Sequence, residues 1–182
     1  MVTGDSTRAP ALDAGVLRAK YEAERQRRVK PAGTDQFVFL EGQFARFDDD
    51  PYVEAPIDRA PLTEDLDVLV IGAGFGGIQV GKALRDRNID DFRIVEVASD
   101  FGGTWYWNRY PGIRCDIESY IYLPYLEETG YIPAERYVTG EEIFRYCQRL
   151  GETFGLYDRA LFQTKIVSAR WDAGACRWIV AT

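Results

Sequence analysis

A glycine-rich run between two apolar segments constrains the fold of this chain more than any other feature of the sequence. The run 72–77, GAGFGG, has the spacing GxGxxG. It directly follows the β-branched apolar run 67–71 and directly precedes the stretch 78–87, whose apolar residues recur at helical spacing. A second β-rich run covers 92–97. This order predicts a βαβ unit with a right-handed crossover and a buried parallel sheet.

The glycines of the run each have a physical task in a dinucleotide-binding turn. Gly72 permits the tight turn, Gly74 lets the backbone approach a pyrophosphate, and Gly77 lets helix and strand pack closely. An acidic residue about 20 positions further on holds ribose hydroxyls in such sites, and Glu96 stands there. Because Glu96 would repel a 2′-phosphate, the site is predicted to take FAD or NAD and not NADP. The alternative is an ordinary glycine turn with a solvated Glu96.

Composition narrows the chemistry available to the chain. Its 182 residues allow about one domain with an arm, and its net charge of −7 argues against a nucleic-acid partner. It has no histidine, which excludes Ser-His-Asp and Cys-His catalysis and most metal sites. Three cysteines without CxxC spacing predict neither a disulfide framework nor a zinc site. Any chemistry must therefore come from a cofactor, and no metal is expected.

Hydropathy and the amino-terminal sequence favour a cytoplasmic protein. No apolar run approaches the roughly 20 residues needed to span a bilayer. The first residues lack the basic-then-apolar order of a secretory signal. A transit peptide is the weighed alternative for the Arg-rich stretch that follows, but its acidic residues favour a solvated surface helix. We expect no membrane partner, and the oligomeric state cannot be predicted.

The chain is predicted to divide into an extension, 1–64, and a partial dinucleotide-binding domain, 65–182. In the extension a polar tip precedes a helix over about 11–29, and an irregular arm covers 31–64. The arm is rich in Pro, Gly and Asp, and we expect its aromatic rings to anchor it by burial. These rings are Phe37, Phe39, Phe44, Phe47 and Tyr52.

The second half of the domain shows one helix and several strands. Thr139 and Glu142 have the spacing of a capping box, and the helix they begin is expected to end at Gly155. Its apolar stripe, which we interpret as core, is Ile143, Cys147, Leu150 and Phe154. Strands are predicted over 161–166, 167–171 and 177–181. The predicted fold class is α/β, a Rossmann-like domain with a βαβ start and a small additional β-sheet, preceded by a helical and irregular arm.

A long motif separates FAD from NAD as the cofactor. Residues 100–119 read DFGGTWYWNRYPGIRCDIES. This string resembles the GGxWYWNRYPGxRCD segment that lines the flavin and nicotinamide site of type I Baeyer–Villiger monooxygenases. The resemblance runs from about residue 65 to the end of the chain. It implies an FAD-binding front end of such an enzyme, with FAD and NADPH as cofactors.

The resemblance also implies roles for individual residues. Ile166 is expected on the adenine side, the segment Arg114, Cys115 and Asp116 is expected to face NADP, and Asp116 is the predicted catalytic residue. The residues expected around FAD are Gly72, Gly74, Gly76, Gly77, Glu96, Gly103, Thr104, Trp105, Trp107, Asp116 and Tyr122.

Four neighbouring residues are interpreted as structural. Tyr106 and Tyr110 are expected to be core aromatics, Arg109 is expected in an ordinary ion pair, and Glu118 is expected as a hydrogen-bond partner. Cys115 is favoured as a small packing residue over a nucleophile, because no histidine is present to activate it.

The reaction implied by the resemblance oxygenates a ketone. NADPH reduces FAD, the reduced flavin takes up O2 as a C4a-peroxide, and this peroxide attacks the ketone to give an ester or lactone. The chain departs from the family pattern, since it has one GxGxxG where the family has two and lacks the FxGxxxHxxxW signature. The catalytic arginine and a later strand of the FAD sheet are also missing. A fragment that is inactive alone is therefore expected.

Alternative functions remain open at the level of the sequence. One is an N- or S-oxidising flavin monooxygenase, although the WYWNRYPGxRCD string favours ketone oxygenation. Another is a catalytically inert FAD-binding fragment. The first 60 or so residues resemble the extension of family members that accept bulky or cyclic ketones.

Overall fold

The computed structural model describes residues 13–38, 40–53 and 55–182. The chain forms two compact units, Met1–Asp49 and Asp50–Thr182. Residues 50–64 therefore belong to the second unit, although the sequence groups them with the extension. The domain boundary after residue 64 stays a prediction.

The first unit contains helix α1, Ala14–Arg28, within the stretch predicted as helical. Asp13 caps it, because its Oδ1 accepts hydrogen bonds from the N–H groups of Gly15 (2.7 Å) and Val16 (3.2 Å). No residue of α1 is buried, as expected for a solvated helix. The predicted polar tip and the first two predicted helical residues, 11 and 12, lie outside the described residues.

The prediction that aromatic rings anchor the arm is wrong for three of them. Phe37, Phe44 and Phe47 are 69%, 38% and 58% exposed. They lie in or beside two 3₁₀ turns, Gly33–Gln36 and Gly42–Phe47. Phe44 and Phe47 stack on each other instead, with 6.5 Å between ring centroids, so a local pair replaces burial. Phe39 lies outside the described residues, whereas Tyr52 is partly buried in the second unit.

The second unit begins with the predicted βαβ arrangement. Strand β1, Val68–Ile71, leads through the glycine turn into helix α2, Phe75–Arg85, and on to strand β2, Phe92–Val95. The two strands pair in parallel, with Val68 opposite Phe92. Asn88 adopts the left-handed conformation expected near the end of the helix (φ 57°).

Three short helices and one long helix follow. The short ones are α3, Thr104–Trp107; α4, Ser119–Tyr122; and α5, Leu126–Thr129. The long helix α6 spans Gly140–Thr153, and Gly155 after it has the left-handed φ of 60°. Thr139 caps α6 by accepting from the N–H of Glu142 (3.2 Å). The reciprocal half of the predicted capping box is wrong, because the Glu142 carboxylate accepts from Tyr131 Oη (2.8 Å) and Ala134 N (2.9 Å).

The last part of the chain adds one short parallel strand and a hairpin. A 3₁₀ turn, Tyr157–Arg159, leads into strand β3, Ala160–Leu161, which extends the sheet in the order β1-β2-β3. Strands β4, Ser168–Asp172, and β5, Arg177–Ala181, pair antiparallel. The fold class is thus Rossmann-like, with a parallel sheet, helices and a small antiparallel sheet, as predicted.

The predicted strand over 161–166 is wrong beyond its first residue. Gln163 has φ 51°, which turns the chain out of the sheet. The N–H groups of this residue and the next donate instead to the residues that follow β2. Gln163 N donates to Ala98 O (2.9 Å), and Thr164 N donates to Glu96 O (2.9 Å).

The core of the second unit gathers apolar residues from the sheet, α2 and α6. Its largest fully buried side chains include Tyr106, Tyr146, Phe92, Phe101, Ile78, Ile94, Ile143 and Leu150. Ile143, Cys147 and Leu150 of the predicted stripe are all fully buried. Within the described ranges no helix is long and apolar enough to cross a membrane.

Candidate functional site: the glycine turn and its neighbours

The turn between β1 and α2 is closed by backbone packing. Gly72 has the left-handed φ of 97°, and its N–H donates to Val95 O (2.8 Å), which prolongs the parallel ladder. A Cβ atom on Gly77 would lie 1.9 Å from Gly72 O. The first turn of the helix therefore rests directly on the end of the strand, as the sequence predicts for these two glycines.

A second glycine loop lies against the first. Gly103 has φ 54°, and a Cβ on it would lie 2.8 Å from Gly74 Cα. Gly102 N also donates to Ala73 O (3.0 Å). A Cβ on Gly103 would therefore clash with Gly74, whereas a Cβ on Gly74 would lie 3.4 Å from Gly103 Cα, in ordinary contact. The role of Gly74 thus includes contact with Gly103, which the sequence pattern did not indicate.

The open side of the turn lies at the amino terminus of α2. Gly76 is exposed, and a Cβ placed on it would meet no atom within 4 Å. The first backbone hydrogen bond of the helix runs from Ile78 N to Gly74 O (3.0 Å). The N–H groups of residues 75–77 therefore have no acceptor within the helix, and they form the positive end of its dipole. This arrangement suits a bound phosphate group.

Glu96 stands beside the turn and is only 6% exposed. Its Oε2 accepts a hydrogen bond from Ala73 N (2.6 Å), and its Oε1 accepts one from Ala98 N (2.8 Å). The solvated Glu96 that the sequence left open is thus not observed. Each carboxylate oxygen can accept further hydrogen bonds, which is what ribose hydroxyls would require.

Aromatic side chains line the far side of the glycine loops. Trp105 is buried, and its Nε1 donates to Tyr122 Oη (2.8 Å). Phe75 meets the Tyr122 ring edge to face, with 5.5 Å between centroids. Burial raises the pKa of the Tyr122 hydroxyl, with smaller contributions from Cys115 and Asp116. The neighbouring Thr104 is exposed and Trp107 is partly buried.

The segment Arg114–Asp116 is less enclosed than the turn. Arg114 Nη1 donates to Glu135 Oε2 (2.7 Å) and to Tyr137 O (2.7 Å). Cys115 is 6% exposed, as a packing residue would be. Asp116 is exposed and forms no ion pair with any residue that the structure describes. The catalytic role of Asp116 stays a prediction.

The structure brings several of the predicted site residues together through direct contacts. The glycine turn, Glu96, Gly103 and Trp105 are linked by the contacts above, and Ile166 follows the loop that bonds to Glu96. Ile166 is partly buried and lies between β3 and β4.

The structure tests the structural role that was predicted for three neighbouring residues. Tyr106 is a core aromatic, with 1% exposure, and Glu118 pairs with Arg136, so both predictions are confirmed. Tyr110 is 61% exposed, so the prediction of a core position is wrong. It lies in the loop after α3, where the aromatic run continues but the helix does not.

The ion pair predicted for Arg109 is wrong, and sequence reasoning missed its aromatic partners. It makes no ion pair within the described part of the chain. Its guanidinium lies over the rings of Tyr52, Tyr106 and Phe144. These partners are distant in sequence, so no local pattern indicates the cluster.

The residues before β1 also reach the site. Arg59 donates to Phe162 O (3.1 Å) and to Thr164 Oγ1, and Ile57 N donates to Gln163 Oε1 (2.8 Å). The segment before the first strand therefore holds the loop that bonds to Glu96. Sequence reasoning treated this segment as part of an arm.

Comparison with known proteins supports the assignment made from the motif. A family model described as an NAD(P)-binding Rossmann-like domain matches residues 70–132. The chain is 52% identical over 171 residues to Baeyer–Villiger monooxygenase 4 of a Dietzia species, and 49% identical over 172 residues to neopentalenolactone D synthase of Streptomyces avermitilis. Each match covers 94% of this chain. The chain is thus similar over most of its length to proteins named Baeyer–Villiger monooxygenases.

Solved structures of two monooxygenases have the same fold over the parts of this chain that they match. Polycyclic ketone monooxygenase from Thermothelomyces thermophila superposes with a TM-score of 0.75 at 36% identity, over 91% of this chain and 28% of that one. A steroid monooxygenase bound to NADP gives 0.57 at 39% identity, over 63% of this chain and 22% of that one. The chain spans 28% and 29% of the two sequence relatives. It therefore spans less than a third of the length of each.

Proposed function

We propose that this chain is the FAD-binding portion of an NADPH- and O2-dependent monooxygenase that converts ketones to esters or lactones. The observation that carries the proposal is the preformed turn, in which Gly77 packs on Gly72 and Gly74 packs on Gly103. The N–H groups at the amino terminus of α2, which have no acceptor within the helix, lie beside Gly76 on the open side of the turn. Such a turn needs no rearrangement to receive a pyrophosphate.

The residues around the turn fit FAD in the roles that the sequence predicts. The amino terminus of α2 would hold the pyrophosphate, and Glu96 would accept hydrogen bonds from the ribose. Trp105, Trp107 and Tyr122 would lie towards the flavin, and Ile166 towards the adenine. When bound, FAD supplies the redox chemistry with NADPH and O2, while the protein supplies position, dryness and charge.

The charge of Glu96 supports a separate place for NADPH. A 2′-phosphate would meet a buried carboxylate at the first site, so this site favours FAD over NADP. The segment Arg114–Asp116 offers an exposed carboxylate and a guanidinium, and we propose that it faces the nicotinamide cofactor. Asp116 would act there by accepting hydrogen bonds and by holding a cationic partner in place.

The proposed reaction of the whole protein inserts one oxygen atom next to a carbonyl. The ketone, O2, NADPH and a proton become an ester or lactone, NADP⁺ and water. The relatives named Baeyer–Villiger monooxygenases support this reaction. The chain covers under a third of them, so we expect it to bind FAD without turnover.

The proposal is tested first by titrating the purified chain with FAD while following flavin absorbance and fluorescence. Gly76→Val places a side chain into the open face, where no described atom lies within 4 Å, so it should abolish binding without unfolding the chain. Gly74→Val and Glu96→Arg should also abolish binding. Glu152→Arg, an exposed charge reversal on α6, is the control and should bind normally. A folded chain that binds no FAD would refute the proposal.

The reaction type is tested on the full-length protein that contains this segment. Consumption of NADPH with cyclic ketones, coupled to ester or lactone formation, is expected. Oxygenation confined to amines or sulfides would instead support the N- or S-oxidising alternative.

A further inference from the structure

The guanidinium of Arg109, in the loop after α3, lies over three aromatic rings. The Arg109 Cζ atom lies 4.0 Å from the ring centroid of Tyr52 and 4.5 Å from those of Tyr106 and Phe144. Arg109 Nε also donates to Tyr106 O (2.8 Å). Each contact places the cation over an aromatic face, which is favourable, and together with the Nε hydrogen bond they restrict where the guanidinium can lie.

Two of these residues, Tyr52 and Tyr106, also belong to a hydrogen-bond network around residues 50–52. Tyr106 Oη donates to Asp50 Oδ2 (2.6 Å) and lies 2.5 Å from Ser99 Oγ. Asp50 Oδ1 accepts from Tyr52 N (2.8 Å), and Tyr52 Oη donates to Trp107 O (3.3 Å). We call residues 50–52 with their partners Tyr106 and Arg109 the clasp. It joins chain segments that are 55 and 56 positions apart in sequence.

The clasp holds helix α3, which faces the glycine turn. Gly103 caps α3 and packs against Gly74, and Trp105 within α3 bonds to Tyr122. Tyr106 directly follows Trp105 in α3, and Phe144 places one wall of the cluster on α6. A shift of α3 would therefore move both the loop behind Gly74 and the aromatic side of the site.

We propose that Arg109 is a positioning residue. By holding Tyr52 and Tyr106 together it keeps residues 50–52 on α3, and it thereby fixes Gly103 and Trp105 for flavin binding. The flavin part of this inference rests on the proposed function. Arginine suits the role better than lysine because its weakly hydrated guanidinium can lie over aromatic rings while its Nε donates a hydrogen bond, here to Tyr106 O. The partners of the Arg109 cation are thus three aromatic rings and not an acidic side chain.

The test uses the full chain and two kinds of measurement on each variant. Hydrogen exchange by mass spectrometry reports on the peptides that contain residues 50–53 and 104–109, and a flavin titration reports affinity. Variants are Arg109→Ala, Tyr52→Ala and the double variant. Arg149→Ala is the matched control, since Arg149 also stacks on a ring, Tyr131, at 5.4 Å, away from the glycine loops.

We expect Arg109→Ala to speed exchange about tenfold in both peptides and to weaken FAD binding about tenfold, with little change in melting temperature. The double variant should behave like either single variant, because both remove the same cluster. Arg149→Ala should leave both measurements unchanged.

Three results would overturn the proposal. The first is unchanged exchange in either peptide of Arg109→Ala. The second is strictly additive effects of the two substitutions. The third is faster exchange with unaltered FAD affinity. If the wild-type chain binds no FAD, the proposed function fails for this chain. The locking of α3 by Arg109 is then decided by the exchange measurement alone.

Discussion

The glycine turn 72–77 and the segment 110–116 both belong to the proposed site but are built in different ways. In the turn, Gly77 meets Gly72 O and Gly103 meets Gly74, so backbone contacts set the shape. In the segment, Tyr110 and Asp116 are exposed, and Arg114 is held by an exposed ion pair to Glu135. The turn is closed by backbone contacts, whereas the segment presents most of its side chains, Cys115 excepted, to solvent.

This difference separates shape from chemistry in the proposed site. A phosphate site needs fixed N–H groups, and a glycine-rich turn closed by backbone contacts provides them before the ligand arrives. A site for a second cofactor needs charged side chains, and the segment carries these on a less enclosed backbone. Substitutions at the closely packed glycines of the turn should therefore affect the fold, and substitutions of the exposed residues of the segment should affect it little.

The largest expected effect distinguishes two adjacent glycines. Gly77→Ala would place a methyl group 1.9 Å from Gly72 O, so it should cost more than about 3 kcal/mol of unfolding free energy or prevent folding. Gly76→Ala meets no atom within 4 Å and lies in a helix, so it should change stability by about 1 kcal/mol or less, towards greater stability. Thermal unfolding of the two variants measures this, and equal losses would contradict a turn closed at Gly77.

A smaller effect is expected at Glu96. Glu96→Gln keeps the size but replaces one acceptor oxygen by an NH2 group, which would face the N–H of Ala73 or of Ala98. Leaving one buried donor unpaired should cost about 1–3 kcal/mol. Glu141→Gln, at an exposed position on α6, is the control and should stay within about 0.5 kcal/mol. Equal urea-denaturation midpoints for the two variants would show that Glu96 does not hold the turn.

The core beneath the turn predicts a loss of stability at alkaline pH. Burial raises the pKa of the Cys147 thiol to about 12 and that of the Tyr131 hydroxyl to about 12. Both groups are neutral when protonated, so their stabilisation is present below their unfolded pKa values and is lost as the pH rises towards 12. One such group contributes at most about 1.4 kcal/mol per pH unit.

Cys147→Ala should reduce this dependence, because it removes a group that resists ionisation. Unfolding free energies measured between pH 8 and about 11 would test it. A slope identical to that of the wild type would mean that the thiol is not the buried group described here.

The smallest expected effect lies in the segment 110–116. Arg114→Ala removes an exposed ion pair with Glu135 and should change the unfolding free energy by less than about 1 kcal/mol. The same substitution in the full-length protein should weaken NADPH binding, since the segment is proposed to face that cofactor. A large loss of stability in the isolated chain would remove the contrast between the two regions.

The sequence predicted the parts of the fold that depend on local rules. The strand, glycine turn and helix around Gly72 follow from spacing and periodicity, and the burial of Ile143, Cys147 and Leu150 follows from a helical stripe. Glu96 was found because its distance from the turn is fixed by the length of the βαβ unit.

The parts that the sequence did not predict depend on contacts between distant residues. Arg109 was expected in an ion pair, yet its partners come from Tyr52 and Phe144. The strand expected over 161–166 ends early, because Gln163 turns and the loop bonds to Ala98 and Glu96. Phe37 and Phe47 are exposed although their type favours burial, because composition does not specify which surface a ring meets.

The most direct test of a preformed FAD turn is a crystal structure of the purified chain with FAD. The predicted result has the pyrophosphate at the amino terminus of α2, the ribose against Glu96, and backbone shifts in residues 72–77 of less than about 1 Å. A pyrophosphate bound elsewhere, or a turn that rearranges to admit it, would contradict the conclusion that these glycines form the site before the cofactor binds.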